Sequence, residues 1–193
     1  MLGGAFNPPH VGHLLLAQEA RWQLELEEVA LMVTGSAPHK RIEPEPGPEV
    51  RLELARAAAD GEPGVEASSL EVEREGPSYS YETLEQLRER DPDRELYFLL
   101  GADMAAGIGE WKRPERVLEL ARLGVVPRPG VGLGAVRSAL ERLGAADRAE
   151  IIEMPLCGAS STLIRERAAA GRPLRHLVPA GVESLIEERG LYR

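Results

Sequence analysis

The chain has a single cysteine, Cys157, so no internal disulfide can form. One thiol also lacks the spacing of a metal site and fits a reducing cytoplasm. Aromatic residues make up only 4% of the 193 positions, and only Lys40 and Lys112 are lysines among many arginines. No apolar run reaches the ~18 residues that a membrane-crossing helix needs. No basic segment followed by an apolar stretch opens the chain, so no secretory leader is expected. The formal net charge is −9, which excludes a broad nucleic-acid surface, because such binding draws on lysine and arginine against phosphate. Positive charge can still line one cleft. A homo-oligomer is allowed by the sequence and required by nothing in it.

What is present is an ordinary globular balance, with 43% apolar and 28% charged residues. Strand-like and helix-like segments alternate, which implies helices on both faces of a parallel sheet. The expected fold is α/β, an open, mostly parallel, Rossmann-like doubly wound sheet in one domain over residues 1–193. The spacing predicts helices over 11–26, 49–60, 80–90, 114–122, 136–143, 161–170 and 179–189. Strands are predicted to end near Leu2 and to run over 29–33, 65–73, 96–100, 123–126 and 151–154. In such sheets, ligands gather beyond the carboxyl ends of the strands.

The most informative stretch is Gly3-Gly-Ala-Phe-Asn-Pro-Pro-His-Val-Gly-His13. Two glycines let backbone approach a ligand closely. His10 and His13 then fall at the start of a helix, where N–H groups and the dipole favour phosphate. Four further stretches lie in the loops after other strands. They are Thr34-Gly-Ser-Ala-Pro-His-Lys40, Gly76-Pro-Ser-Tyr-Ser-Tyr-Glu-Thr-Leu84, Gly101-Ala-Asp103 with Trp111 beyond it, and Ala159-Ser-Ser-Thr-Leu-Ile-Arg165. Lys40 is a mobile point charge suited to phosphate. His39 reads equally as ligand or solvated side chain. Ser80 reads as a helix cap or as part of an anion site. Trp111, among charged neighbours, offers a flat face for stacking. Trp22 reads as packing.

The first of these stretches resembles the signature of the His-x-Gly-His nucleotidyltransferases. All five together, in order, are most similar to the nicotinate-mononucleotide adenylyltransferases. The Glu188–Arg193 end is similar as well. Departures are Asn7 for a more usual aspartate, Ser80 for threonine, Ala159 for isoleucine, and a short first strand. The resemblance implies adenylyl transfer from ATP to nicotinate mononucleotide, giving nicotinate adenine dinucleotide and pyrophosphate, late in NAD biosynthesis. It implies His10, His13, Lys40 and Arg165 as catalytic residues. ATP would meet Gly3, Gly4, Ala5, Phe6, His10, His13, Gly101, Asp103, Ser161, Thr162 and Arg165. The mononucleotide would meet Asn7, Lys40, Tyr79, Ser80 and Trp111. Mg²⁺ would arrive with ATP, with no protein metal site. The alternatives are an adenylyltransferase acting on nicotinamide mononucleotide or on pantetheine phosphate, and a nucleotide-sensing module that binds without turnover.

Overall fold

The computed structural model describes residues 1–37, 43–127, 130 and 132–193. Six strands form one sheet: β1 (Leu2–Gly4), β2 (Val29–Val33), β3 (Val65–Ser68), β4 (Tyr97–Gly101), β5 (Arg122–Val126) and β6 (Ala149–Ile151). Their order is β3-β2-β1-β4-β5-β6, and every pair is parallel. The order reverses between β1 and β4, so the crevice at the carboxyl ends opens there. Among the described residues, eight α-helices pack around it: α1 (Val11–Gln23), α2 (Pro48–Ala59), α3 (Ser80–Arg90), α4 (Ala102–Ala106), α5 (Pro114–Leu120), α6 (Leu133–Arg142), α7 (Ser161–Ala169) and α8 (Ala180–Glu188).

Side-chain alternation along the strands builds the two cores. Phe98, Leu100, Leu123 and Val125 face one side, with Tyr81, Leu84, Val117 and Leu140. Leu2, Leu31, Val33 and Leu99 face the other, with Leu16, Ala17, Ala20, Leu52 and Ala55. A third cluster joins α2, α7 and α8 through Leu54, Ile164, Val182 and Ile186. Each fully buried leucine contributes roughly 1.5–3 kcal/mol.

Several elements differ from expectation for local reasons. The first helix stops at Gln23 rather than near Leu26, because Glu25 takes a left-handed φ of 53°. The Leu26 N–H then closes onto the Arg21 carbonyl at 3.0 Å, which ends the helix. The third strand ends at Ser68 rather than Glu73, since Ser68 pairs with Met32 and β2 has one residue left. The last strand sits at 149–151 rather than 151–154, with Ala149 paired to Leu123. The 101–111 segment, expected as loop, forms α4 and a 3-10 turn at Ile108–Glu110. Buried Ala102, Ala105 and Ile108 anchor it. The expected short first strand is seen as three residues, and the Met1 amine is buried and donates to the Tyr97 carbonyl.

Candidate active site

The site is built at the carboxyl end of β1. Gly3 and Gly4 end that strand beside two aromatic rings. A Cβ on Gly3 would stand 3.2 Å from the Phe98 ring, and one on Gly4 would stand 3.3 Å from the Phe6 ring. Phe6 turns inward with φ 49° and is buried. Its ring meets His13 edge-on, with centroids 5.0 Å apart. Phe6, expected at ATP, thus packs its ring against His13.

His10 caps α1, and His13 lies in its first turn. The His10 backbone N–H donates to His13 Nδ1 at 3.1 Å. That bond needs the Nδ1 lone pair, so in the neutral imidazole the proton sits on Nε2. The two rings lie 3.8 Å apart, tilted by 31°. Not every N–H of this helix start is open to an anion, because Val11 donates to the Leu177 carbonyl at 3.0 Å. Gly12 keeps room for the pair, since a Cβ there would stand 3.0 Å from His10 Nδ1 and 3.2 Å from Cys157 Sγ.

The last motif joins this turn from far along the chain. Ser160 caps α7 by accepting from Leu163 N–H at 3.1 Å. The Ser161 hydroxyl donates to the Pro8 carbonyl at 2.8 Å, and Arg165 Nη1 donates to the Asn7 carbonyl at 2.8 Å. Arg165 Nη2 also donates to Thr162 Oγ1 at 3.3 Å. Ser161 and Arg165 are thus held to the segment that leads into His10 and His13, with Thr162 beside Arg165.

On the other side of Gly4 lies a cavity of about 330 Å³. It is lined by Gly3, Gly4, Ala5, Tyr79, Ser80 and Trp111, together with Thr34, Glu71, Ser78, Phe98, Met104 and Lys112. Ser80 is the first residue of α3 and Tyr79 its cap, so the Ser80 hydroxyl does not cap the helix. Trp111 is half-buried against Phe98, with centroids 5.5 Å apart. Lys112 Nζ stands 3.9 Å above the Tyr79 ring. Gly101 ends β4 and caps α4, while Asp103 is exposed in the first turn of that helix. Neither lines the cavity. Lys40 and His39 lie outside the described residues.

Asn7 is the expected ligand contact whose side chain is directed elsewhere. It is buried, its Nδ2 donates to the Pro44 carbonyl at 2.8 Å, and its Oδ1 accepts from the Tyr192 hydroxyl at 2.7 Å. It does not line the cavity. The asparagine instead braces the loop that carries the histidines.

Sequence reasoning passed over four residues. Arg51 of α2 is buried and donates to the carbonyls of Ala5, Thr34 and Gly35 and to Glu45. A lone arginine on an apolar helix face was the available signal. Ser78 Oγ accepts from the Gly35 and Ser36 N–H groups at 3.1 and 3.3 Å, pinning the loop after β2 to the start of α3. Glu71 lines the cavity, with its carboxyl pushed up by burial and partly restored by the Thr83 hydroxyl at 2.7 Å. Tyr192 is the fourth.

The same corner makes a stability prediction. A Cβ on Gly35 would stand 2.2 Å from the Glu71 carbonyl oxygen, which is backbone and cannot swing aside. Gly35→Ala should cost about 1–3 kcal/mol, read as a lowered Tm. An unchanged Tm would show that the two loops can separate freely.

The chain matches the cytidylyltransferase-like family over residues 1–167. A probable nicotinate-nucleotide adenylyltransferase of Geobacillus thermodenitrificans is 39% identical over 192 residues, covering 100% of this chain and 84% of the relative. One from a Roseiflexus species is 41% identical over 193 residues, covering 100% and 96%. Among solved structures, Plasmodium falciparum nicotinic acid mononucleotide adenylyltransferase complexed with NaAD superposes with a TM-score of 0.79 at 16% identity, covering 99% of this chain and 95% of that one. At that identity the superposition shows the fold. A family match over 167 residues and relatives 39% and 41% identical along the whole chain place it in the cytidylyltransferase-like family and, within that family, among the nicotinate-nucleotide adenylyltransferases.

Proposed function

We propose that this chain transfers the adenylyl group of ATP to nicotinate mononucleotide, releasing pyrophosphate, in the cytoplasm. The 5′-phosphate of the acceptor is already an ionised nucleophile, so neither a general base nor a covalent enzyme intermediate is needed. Catalysis then consists of relieving repulsion between anions and aligning them. The observation that supports this reading is that the segment Gly4–His13 lines the 330 Å³ cavity through Gly4 and Ala5 and receives Ser161 and Arg165 of α7 on its Pro8 and Asn7 carbonyls. Acceptor in the cavity and triphosphate along the turn would bring the reacting atoms together over His10 and His13.

In this reading His10 and His13 donate to the α-phosphate as its charge develops. Arg165, Ser161 and Thr162 hold the departing pyrophosphate, with Lys40 as a further cation. Trp111 and Tyr79 flank the pyridine ring, and the α3 start at Ser80 faces its carboxylate. The nucleotide would lie over Gly3–Phe6, with Gly101 and Asp103 at its ribose. Among the described residues no group of three or more His, Cys, Asp or Glu side chains could cage a metal. Mg²⁺ held by ATP oxygens and water fits that donor set, and it would neutralise phosphate charge. Also among the described residues, no helix is long and apolar enough to cross a membrane.

Incubating the protein with ATP, Mg²⁺ and nicotinate mononucleotide should yield pyrophosphate and nicotinate adenine dinucleotide. ATP binding without pyrophosphate release would favour a sensing module instead. The acceptor makes a second prediction. If the α3 start binds the carboxylate, the acid should exceed nicotinamide mononucleotide in kcat/KM by at least about tenfold, because the amide brings no charge to that site. Equal values for the two acceptors would remove the carboxylate from the α3 start.

A further inference from the structure

The loop that carries His10 and His13 is held from an unexpected direction. Beyond α8 the backbone turns sharply, with Gly190 at φ 59° and Tyr192 at φ 66°. The Leu191 N–H closes onto the Ile186 carbonyl at 3.0 Å, which ends the helix and redirects the chain. Tyr192 then packs against the cluster shared by α2, α7 and α8, and its hydroxyl reaches Asn7 Oδ1 at 2.7 Å. The Asn7 amide nitrogen is spent on the Pro44 carbonyl, and the Asn7 carbonyl receives Arg165 Nη1. One buried residue thereby ties together the Pro44 segment before α2, the α7 arginine and the Tyr192 segment, three positions before the histidine pair.

We propose that Tyr192 is a positioning residue for adenylyl transfer: its phenol fixes the Asn7 side chain, and through it the segment that presents His10 and His13 and anchors Arg165 of α7. The proposal rests on the adenylyl-transfer reading of the site for its kinetic consequences. The phenol is suited to the role because it acts as a donor and its ring is anchored in the apolar cluster. Burial raises its pKa despite the nearby Arg165 and Arg51 cations, so it keeps its proton across the working range. An acceptor oxygen as buried as Asn7 Oδ1 needs that donor, since a buried acceptor without one is costly and its loop relaxes to find another.

The test compares Tyr192→Phe, which keeps the ring and deletes the hydroxyl, with the parent in the pyrophosphate-release assay. Expected is a fall in kcat of about tenfold, with KM for ATP and acceptor within about threefold. The backbone amide resonances of residues 10–13 should shift with it, while those of the distant β6 strand stay in place. In an Asn7→Ala background the same substitution should cost little more, because the partner is already gone. A kcat within twofold of the parent, unmoved amides at residues 10–13, or an equal loss in both backgrounds would each overturn the role. A parent that releases no pyrophosphate would refute the adenylyl-transfer reading. The amide shifts would then judge the tether alone.

Discussion

His13→Ala should lower kcat by about two to four powers of ten, by analogy with the loss of a donor to developing charge. That corresponds to roughly 3–5 kcal/mol of transition-state stabilisation. The structure supplies the reason for expecting the larger share from His13. Its Nδ1 is committed to the His10 backbone N–H at 3.1 Å, so the neutral ring is a fixed Nε2 donor. Phe6 supports the ring from one side and His10 lies against it, which restricts where the donor can point. The substitution also removes the acceptor for the His10 N–H at the helix start, a loss worth about 0.5–2 kcal/mol of stability. A folded domain tolerates that loss with most molecules still native. Activity should therefore collapse while Tm falls by only a few degrees. Turnover within a factor of two of the parent would reject the donor role.

Much of this site was legible in the sequence because its residues act locally. Gly3, Gly4, His10, Gly12 and His13 follow one another closely from the end of β1 to the start of α1, so their spacing shows in the sequence even though Phe98 and Cys157, which crowd Gly3 and Gly12, do not. The α3 helix was predicted to its ends, Ser80 and Arg90. Its amphipathic spacing is regular and its start follows a proline-containing turn. By contrast, Asn7 was expected at the substrate, since nothing local says that its two polar atoms are claimed by residues 37 and 185 positions away. Tyr192 was hidden for the same reason. Strand limits failed where a neighbour decided them, as when β2 ended and left the 69–73 segment without a partner. Gly124 illustrates the same limit. Its requirement comes from Leu99 and Ile152 on neighbouring segments, where a Cβ would stand 2.6 and 2.9 Å away.

Arg51→Met should damage stability strongly, at about 3–5 kcal/mol, because it removes the donor from three carbonyls. For a domain of this size that is a fall in Tm of roughly 6–20 °C. The guanidinium is 1% exposed and satisfies three carbonyls, those of Ala5 at 3.0 Å, Thr34 at 2.6 Å and Gly35 at 3.1 Å. These carbonyls belong to the segments leaving β1 and β2, whose backbones must diverge there to open the crevice. Neither neighbouring strand can pair with them, so a long side chain with several donors replaces the missing ladder. Methionine would fill the space and leave the carbonyls without partners, each at a cost of about 1–3 kcal/mol. The ion pair with Glu45 at 2.9 Å contributes far less, because that carboxylate is 36% exposed and screened by water. Glu45→Gln should accordingly cost under about 1 kcal/mol, and the contrast between the two variants separates carbonyl bracing from charge pairing. Comparable losses in the two melting curves would assign the stabilisation to the ion pair and remove Arg51 as the brace between β1 and β2.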